Sequence, residues 1–162
     1  MESELTSLIG DIRAARREDD LTAMVATQVQ RLAKCRRVAI YLQNGENFVP
    51  RAVAPTGDDS ILDALRIALE DDQMILRLKR SVNGSEAMGL STVFPAGAIV
   101  FPIRPAGTLF GALVCERDAE EPPFDPDERK LLVDVAHEVG ERVLYLRLRS
   151  HVPPVALALA PA

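Results

Sequence analysis

Residues 98–117 read Ala98-Ile99-Val100-Phe101-Pro102-Ile103-Arg104-Pro105-Ala106-Gly107-Thr108-Leu109-Phe110-Gly111-Ala112-Leu113-Val114-Cys115-Glu116-Arg117. Two apolar runs meet across a short turn at Pro105-Ala106-Gly107, the pattern of a β-hairpin. An acidic, proline-rich loop follows, and Asp125-Pro126-Asp127-Glu128 then opens a helix. Asp supplies the cap, Pro takes the first helical position, and Glu reaches back as in a capping box. Leu132, Val135, Ala136, Val139, Val143 and Leu146 form the helix's apolar stripe, so the hairpin has something to pack on. Past Val143 the pattern changes. Leu144, Tyr145, Leu146 and Leu148 carry apolar groups around the helix, which calls for burial on a second side, here assigned to a partner chain.

Upstream, Leu5, Leu8, Ile9 and Ile12 recur at helical spacing and predict a short opening helix. Asp20 is the expected cap of a second helix with the stripe Leu21, Met24, Val25, Val29 and Leu32, and Arg36 and Arg37 complement its C-terminal dipole. Residues 38–43 alternate as a strand, with Val38, Ile40 and Leu42 on one face and Tyr41 on the other. Asn44-Gly45 turns the chain into a second strand, 48–54. Ile61, Leu62, Leu65, Ala68 and Leu69 fit a helix, whereas Met74 to Leu78 fits helix or strand, and 81–95 reads as irregular.

With 162 residues, one domain with a proper core is expected, and 48% hydrophobic residues with 27% charged fit a globular chain. The net charge of −5 argues against a nucleic-acid surface, which needs a concentrated basic field. No apolar run approaches the roughly 20 residues that span a bilayer, and the acidic N-terminus lacks the apolar core of a signal peptide. The two cysteines, Cys35 and Cys115, form no C-x-x-C motif, which suits a reducing, cytoplasmic setting.

The order helix, strand, strand, helical middle, strand, strand, helix resembles the GAF domain family. Carrying residues are Phe101-Pro102-Ile103, Gly107, Leu109-Phe110-Gly111-Ala112-Leu113, Pro123-Phe124-Asp125-Pro126-Asp127-Glu128 and the helix segment from Leu131 to Val139. The unit from Leu21 to Leu42 is similar to the family's start. The resemblance implies an α+β fold, a GAF-like antiparallel sheet with N- and C-terminal helices packed on one face and a helical or loop lid over the other. It divides the chain into a lead-in helix (1–18), the domain (19–149) and a tail (150–162). It implies a non-catalytic sensory or regulatory domain that binds a small molecule and signals through helix-mediated homodimerisation, beside a fused or partner signalling domain. Two alternatives stand beside it: a dimerisation module without ligand, and a cysteine-dependent reductase of methionine sulfoxide.

The site expected from this resemblance combines Tyr41 with the lid residues Arg77, Glu86, Ser91 and Thr92, and the dimer interface takes Leu144, Tyr145 and Leu148. The identity of the ligand or cofactor is left open by the sequence. The cyclic-nucleotide signature Asn-Lys-Phe-Asp-Glu is missing, and no Cys or His lies between Phe48 and Phe101, which argues against a bilin. His137 is expected to pack within the last helix rather than bind a metal, and His151 has no ligand partner. The cysteines are expected to be small buried hydrophobes. Gly111 should admit a close approach by a facing element, and Pro102 should lie at an edge or an irregularity.

Overall fold

The computed structural model describes residues 2–57, 62, 72–80, 85–86, 98–118 and 120–151. The elements are α1 (Glu2–Ala14), α2 (Glu18–Leu32), β1 (Cys35–Asn44), β2 (Asn47–Ala54), α3 (Asp72–Arg80), β3 (Ser85–Glu86), β4 (Ala98–Ile103), a 3-10 turn (Pro105–Gly107), β5 (Gly111–Arg117) and α4 (Pro126–His151). The sheet order is β2-β1-β5-β4-β3, and every adjacent pair is antiparallel. The fold is α+β. Leu8 and Ile12 of α1, Leu21, Val25 and Val29 of α2, and Leu132, Val135 and Val139 of α4 cover one face of the sheet. Leu78 and Ile75 of α3 pack on the other face.

The hairpin read from 98–117 is present, with Ile103 opposite Gly111 and the Phe110 N–H donating to the Ile103 carbonyl at 2.7 Å. All seven residues of β5 are buried, as suits a strand with neighbours on both edges and layers on both faces. Pro102 lies beyond the two ladder positions, Ile99 and Val100, that β3 pairs, so its missing N–H deprives no β3 partner. At Gly111 the close approach comes from within the sheet rather than from a facing element. A Cβ there would stand 2.0 Å from the carbonyl oxygen of Tyr41 on β1. Gly140 plays the cross-layer role instead, because a Cβ there would meet Pro105 Cδ at 3.0 Å and Ile103 Cγ2 at 3.1 Å.

The cap of α4 forms as read: the Glu128 N–H donates to Asp125 Oδ1 at 2.8 Å, and the Asp125 N–H donates to Glu128 Oε1 at 3.1 Å. The start of α2 differs. Arg17, extended at φ −136°, precedes the first turn, and Glu18, Asp19 and Asp20 all fall inside it. There they complement the positive end of the helix dipole instead of capping by side chain. Met74 to Leu78 is helical, within α3, and the stretch read as irregular contains β3. Ile61, Leu65, Ala68 and Leu69 lie outside the described residues, as do 152–162.

Candidate functional site

Strand alternation builds the lid side of the sheet. Ala39 and Tyr41 of β1, Ala98 and Val100 of β4, and Ala112 and Val114 of β5 share one cluster with Leu78 and Leu109. Three alanines in that floor keep it low, since their side chains end at Cβ. Tyr41 is 1% exposed, and its hydroxyl donates to the Leu62 carbonyl. The expected placement of Tyr41, opposite Val38, Ile40 and Leu42, is therefore correct.

At the end of the same face stands a charged pair that the sequence reading missed. Arg37 and Glu116 are direct cross-strand partners, and the guanidinium grips the carboxylate with both Nε and Nη2, the latter 2.7 Å from Oε1. Glu116 is 2% exposed. Arg37 was read as a cation at the end of α2, but β1 starts at Cys35 and takes Arg37 into the sheet. The period-two series Arg37, Ala39, Tyr41 was the available signal. On the lid itself, Arg104 Nη1 donates to the Lys79 carbonyl at 2.5 Å and ties α3 to the end of β4.

The other expected site residues are placed only by element. Arg77 lies on α3, and Glu86 lies on β3 opposite Ile99. Ser91 and Thr92 lie outside the described residues. Leu144 is half-buried on α4, while Tyr145 and Leu148 are 48% and 60% exposed. Arg142 stacks on the Tyr145 ring at 4.5 Å.

His137 does not pack. Its side chain is 62% exposed and 4.0 Å from Glu141, because α4 turns positions 134, 137 and 141 away from the buried stripe. Cys35 and Cys115 are both free and buried. Burial pushes the Cys115 thiol well up, and its hydrogen bond with Cys35 adds to this, so a thiolate nucleophile is disfavoured there.

Two clamps hold α4. At its start, Arg117, 6% exposed, pairs with Glu128, donates to the carbonyls of Pro122 at 2.9 Å and Ala33 at 3.1 Å, and stacks on Phe124 at 4.3 Å. Towards its end, Arg147 Nε donates to Glu18 Oε1 at 2.7 Å, and Arg51 of β2 lies 3.7 Å from the same carboxylate. Arg142 Nε also donates to the Ala15 carbonyl at 2.7 Å. Helix α4 is thereby joined to the α1–α2 connection, to α2 and to the outer strand.

The sheet order, the helices on one face and the lid helix on the other agree with a family match: the GAF domain model matches residues 17–143. The chain belongs to the GAF domain family. Solved structures, GAF domains among them, share the fold at low identity. The GAF domain of an Acinetobacter phosphoenolpyruvate-protein phosphotransferase has a TM-score of 0.65 at 15% identity, covering 93% of this chain and 96% of that one. A phycocyanobilin-bound GAF domain from a cyanobacterial phytochrome has a TM-score of 0.67 at 18% identity, covering 93% and 97%. The bacteriophytochrome RpBphP3 of R. palustris has a TM-score of 0.70 at 12% identity, covering 91% of this chain and 37% of that longer one. No curated protein sequence matches this chain. Among the described residues, no helix is long and apolar enough to cross a membrane.

Proposed function

We propose that this GAF domain is a non-catalytic sensor that takes a small molecule on the lid side of its sheet and passes the response out through α4. The observation that carries the reading is the coincidence of a low alanine floor with two polar features on one face, the Tyr41 hydroxyl and the Arg37–Glu116 pair. A pocket of this kind needs few polar groups on an apolar lining. Arg77, Glu86, Ser91 and Thr92 complete the proposed lining. The clamps on α4 support the output route, since a shift of β1 or β5 is felt at Arg117 and a shift of β2 at Arg51. Two buried free cysteines suit a reducing, cytoplasmic location.

Native mass spectrometry of freshly purified protein, followed by thermal shift across a metabolite panel, tests the ligand. A retained or stabilising small molecule whose effect is lost in Arg37→Met supports the reading. A clean apo mass with no shift across the panel overturns it.

A second reading, a dimerisation module without ligand, is favoured by Tyr145 and Leu148, large hydrophobic side chains that α4 leaves exposed. It expects a homodimer at micromolar concentration that dissociates when Leu144, Tyr145 and Leu148 are made polar. A monomeric unmodified protein sinks it and weakens helix-mediated signalling as well.

A further inference from the structure

The two cysteines are far apart in sequence, yet a backbone irregularity brings them to one place. Along β1 and β5, Arg37 pairs with Glu116, Val38 with Cys115 and Ala39 with Val114. Continued without interruption, that register would set Cys35 on the lid face with Arg37, Ala39 and Tyr41, because strand side chains alternate. A bulge between Cys35 and Arg37 shifts the pairing by one, so Cys35 faces Arg117. The shift moves the Cys35 side chain into the helix-side core with Val38, Ile40 and Cys115. It also brings Cys35 one position closer to Cys115, so the two buried side chains stand diagonally across β1 and β5 in the same core cluster, two ladder positions apart, and Cys35 contributes to the rise of the Cys115 pKa. The Cys35 thiol further lies 3.9 Å from the Ala33 carbonyl.

We infer that Cys35 and Cys115 are a redox pair that closes to an intramolecular disulfide across the two central strands, beneath the Arg117 clamp. The oxidant is a low-molecular-weight disulfide such as oxidised glutathione. Cys35, 7% exposed against 0% for Cys115, reacts first: its thiolate attacks one sulfur and expels one reduced glutathione. Cys115 then loses its proton, attacks the mixed disulfide at Cys35 and expels the second. The two protein thiols give up two electrons and two protons, and one oxidised glutathione becomes two reduced ones. Because both thiols are buried, the exchange proceeds through opening of the domain, so the pair responds to the ambient redox balance at equilibrium rather than to a brief pulse.

The position gives the bond a consequence. The Ala33 carbonyl accepts from both the Cys35 thiol and Arg117 Nη2, and Arg117 in turn holds Glu128 and Phe124 at the start of α4. Oxidation removes the Cys35 donor and draws the start of β1 towards β5. The change is thereby delivered to the N-terminal clamp of α4, with no ligand required.

The full chain is refolded from urea and equilibrated in glutathione buffers of graded ratio, alongside Cys35→Ala and Cys115→Ala, which keep small apolar groups in the core. The expected result is a loss of about 2 Da, as two thiol hydrogens leave. Peptide mapping joins residues 35 and 115, and the melting midpoint rises by roughly 5–10 °C, absent from both variants. Amide exchange over 124–128 differs between the two redox forms. A glutathione adduct on Cys35 alone, or two free thiols at the most oxidising ratio, overturns the inference. A disulfide that leaves exchange over 124–128 unchanged overturns its coupling to α4.

Discussion

Replacing Gly111 by alanine adds one methyl group in the middle of the sheet. The new Cβ would sit 2.0 Å from the Tyr41 carbonyl oxygen, 3.0 Å from its carbonyl carbon and 3.1 Å from Leu42 Cδ2. A carbon and a carbonyl oxygen in contact rest at about 3.3 Å, so β1 and β5 must separate locally by roughly 1.3 Å. The obstacle is backbone, which cannot rotate aside as a side chain can. Separation also strains the bond from the Gln43 N–H to the Phe110 carbonyl, now 2.7 Å. Overpacking of this kind costs about 1–3 kcal/mol, and a lost backbone hydrogen bond about 1 kcal/mol. The expected destabilisation is about 2–4 kcal/mol, with a fall in melting midpoint of roughly 5–15 °C for a domain of this size. Urea unfolding followed by circular dichroism measures it. Gly10→Ala is the control: it lies within α1 with open space around its would-be Cβ, and alanine there should stabilise by about 0.5–1 kcal/mol. If Gly111→Ala lies within about 0.5 kcal/mol of the parent, the in-sheet approach is wrong, and with it the tight β1–β5 seam that carries Tyr41.

Other consequences are as direct. Glu128→Gln leaves the buried Arg117 guanidinium without its counter-charge and should cost about 3 kcal/mol; adding Arg117→Met should recover part of that loss in the urea midpoint. Tyr41→Phe removes the donor to the Leu62 carbonyl and should cost about 1–2 kcal/mol, with far-ultraviolet dichroism unchanged. The Arg13 guanidinium, hydrogen-bonded at 2.7 Å, holds the Glu138 carboxyl below its usual range. A depressed carboxylate contributes stability above its unfolded value and loses it as pH falls through the folded one. The stability gap between the parent and Glu138→Gln should therefore be full at neutral pH and close in acid; a gap that persists at pH about 2 would show that the ion pair is not its source.

The legible parts of the fold were those with local causes. The capping box at Asp125 and Glu128 was readable because its donors and acceptors lie three residues apart. The hairpin at Pro105–Gly107 was readable because turn chemistry and flanking apolar runs coincide in one short segment. Within the site, Tyr41 was placed by simple alternation, and the resemblance correctly gave the family and the α+β arrangement of a sheet with the terminal helices on one face and a lid element on the other. The errors share a cause. Asp20 was read as a cap because its residue type suits one, but the backbone had already turned helical at Glu18. His137 was read as packed from its neighbours in sequence, although helical rotation sends it outward.

Sequence alone determined the family, the strands at the centre of the sheet and the apolar stripes of the helices, since each is written in period and turn chemistry over a few residues. Tertiary structure decided which strands meet and which charges become partners. It joined Arg37 to Glu116 across 79 positions of sequence, set Arg117 between Ala33 and Glu128, and used one bulge to carry Cys35 from the lid face to Cys115. Such pairings depend on register, and a shift of one residue exchanges the two faces of a strand. Local pattern specifies that a strand exists; only packing of both layers fixes that register.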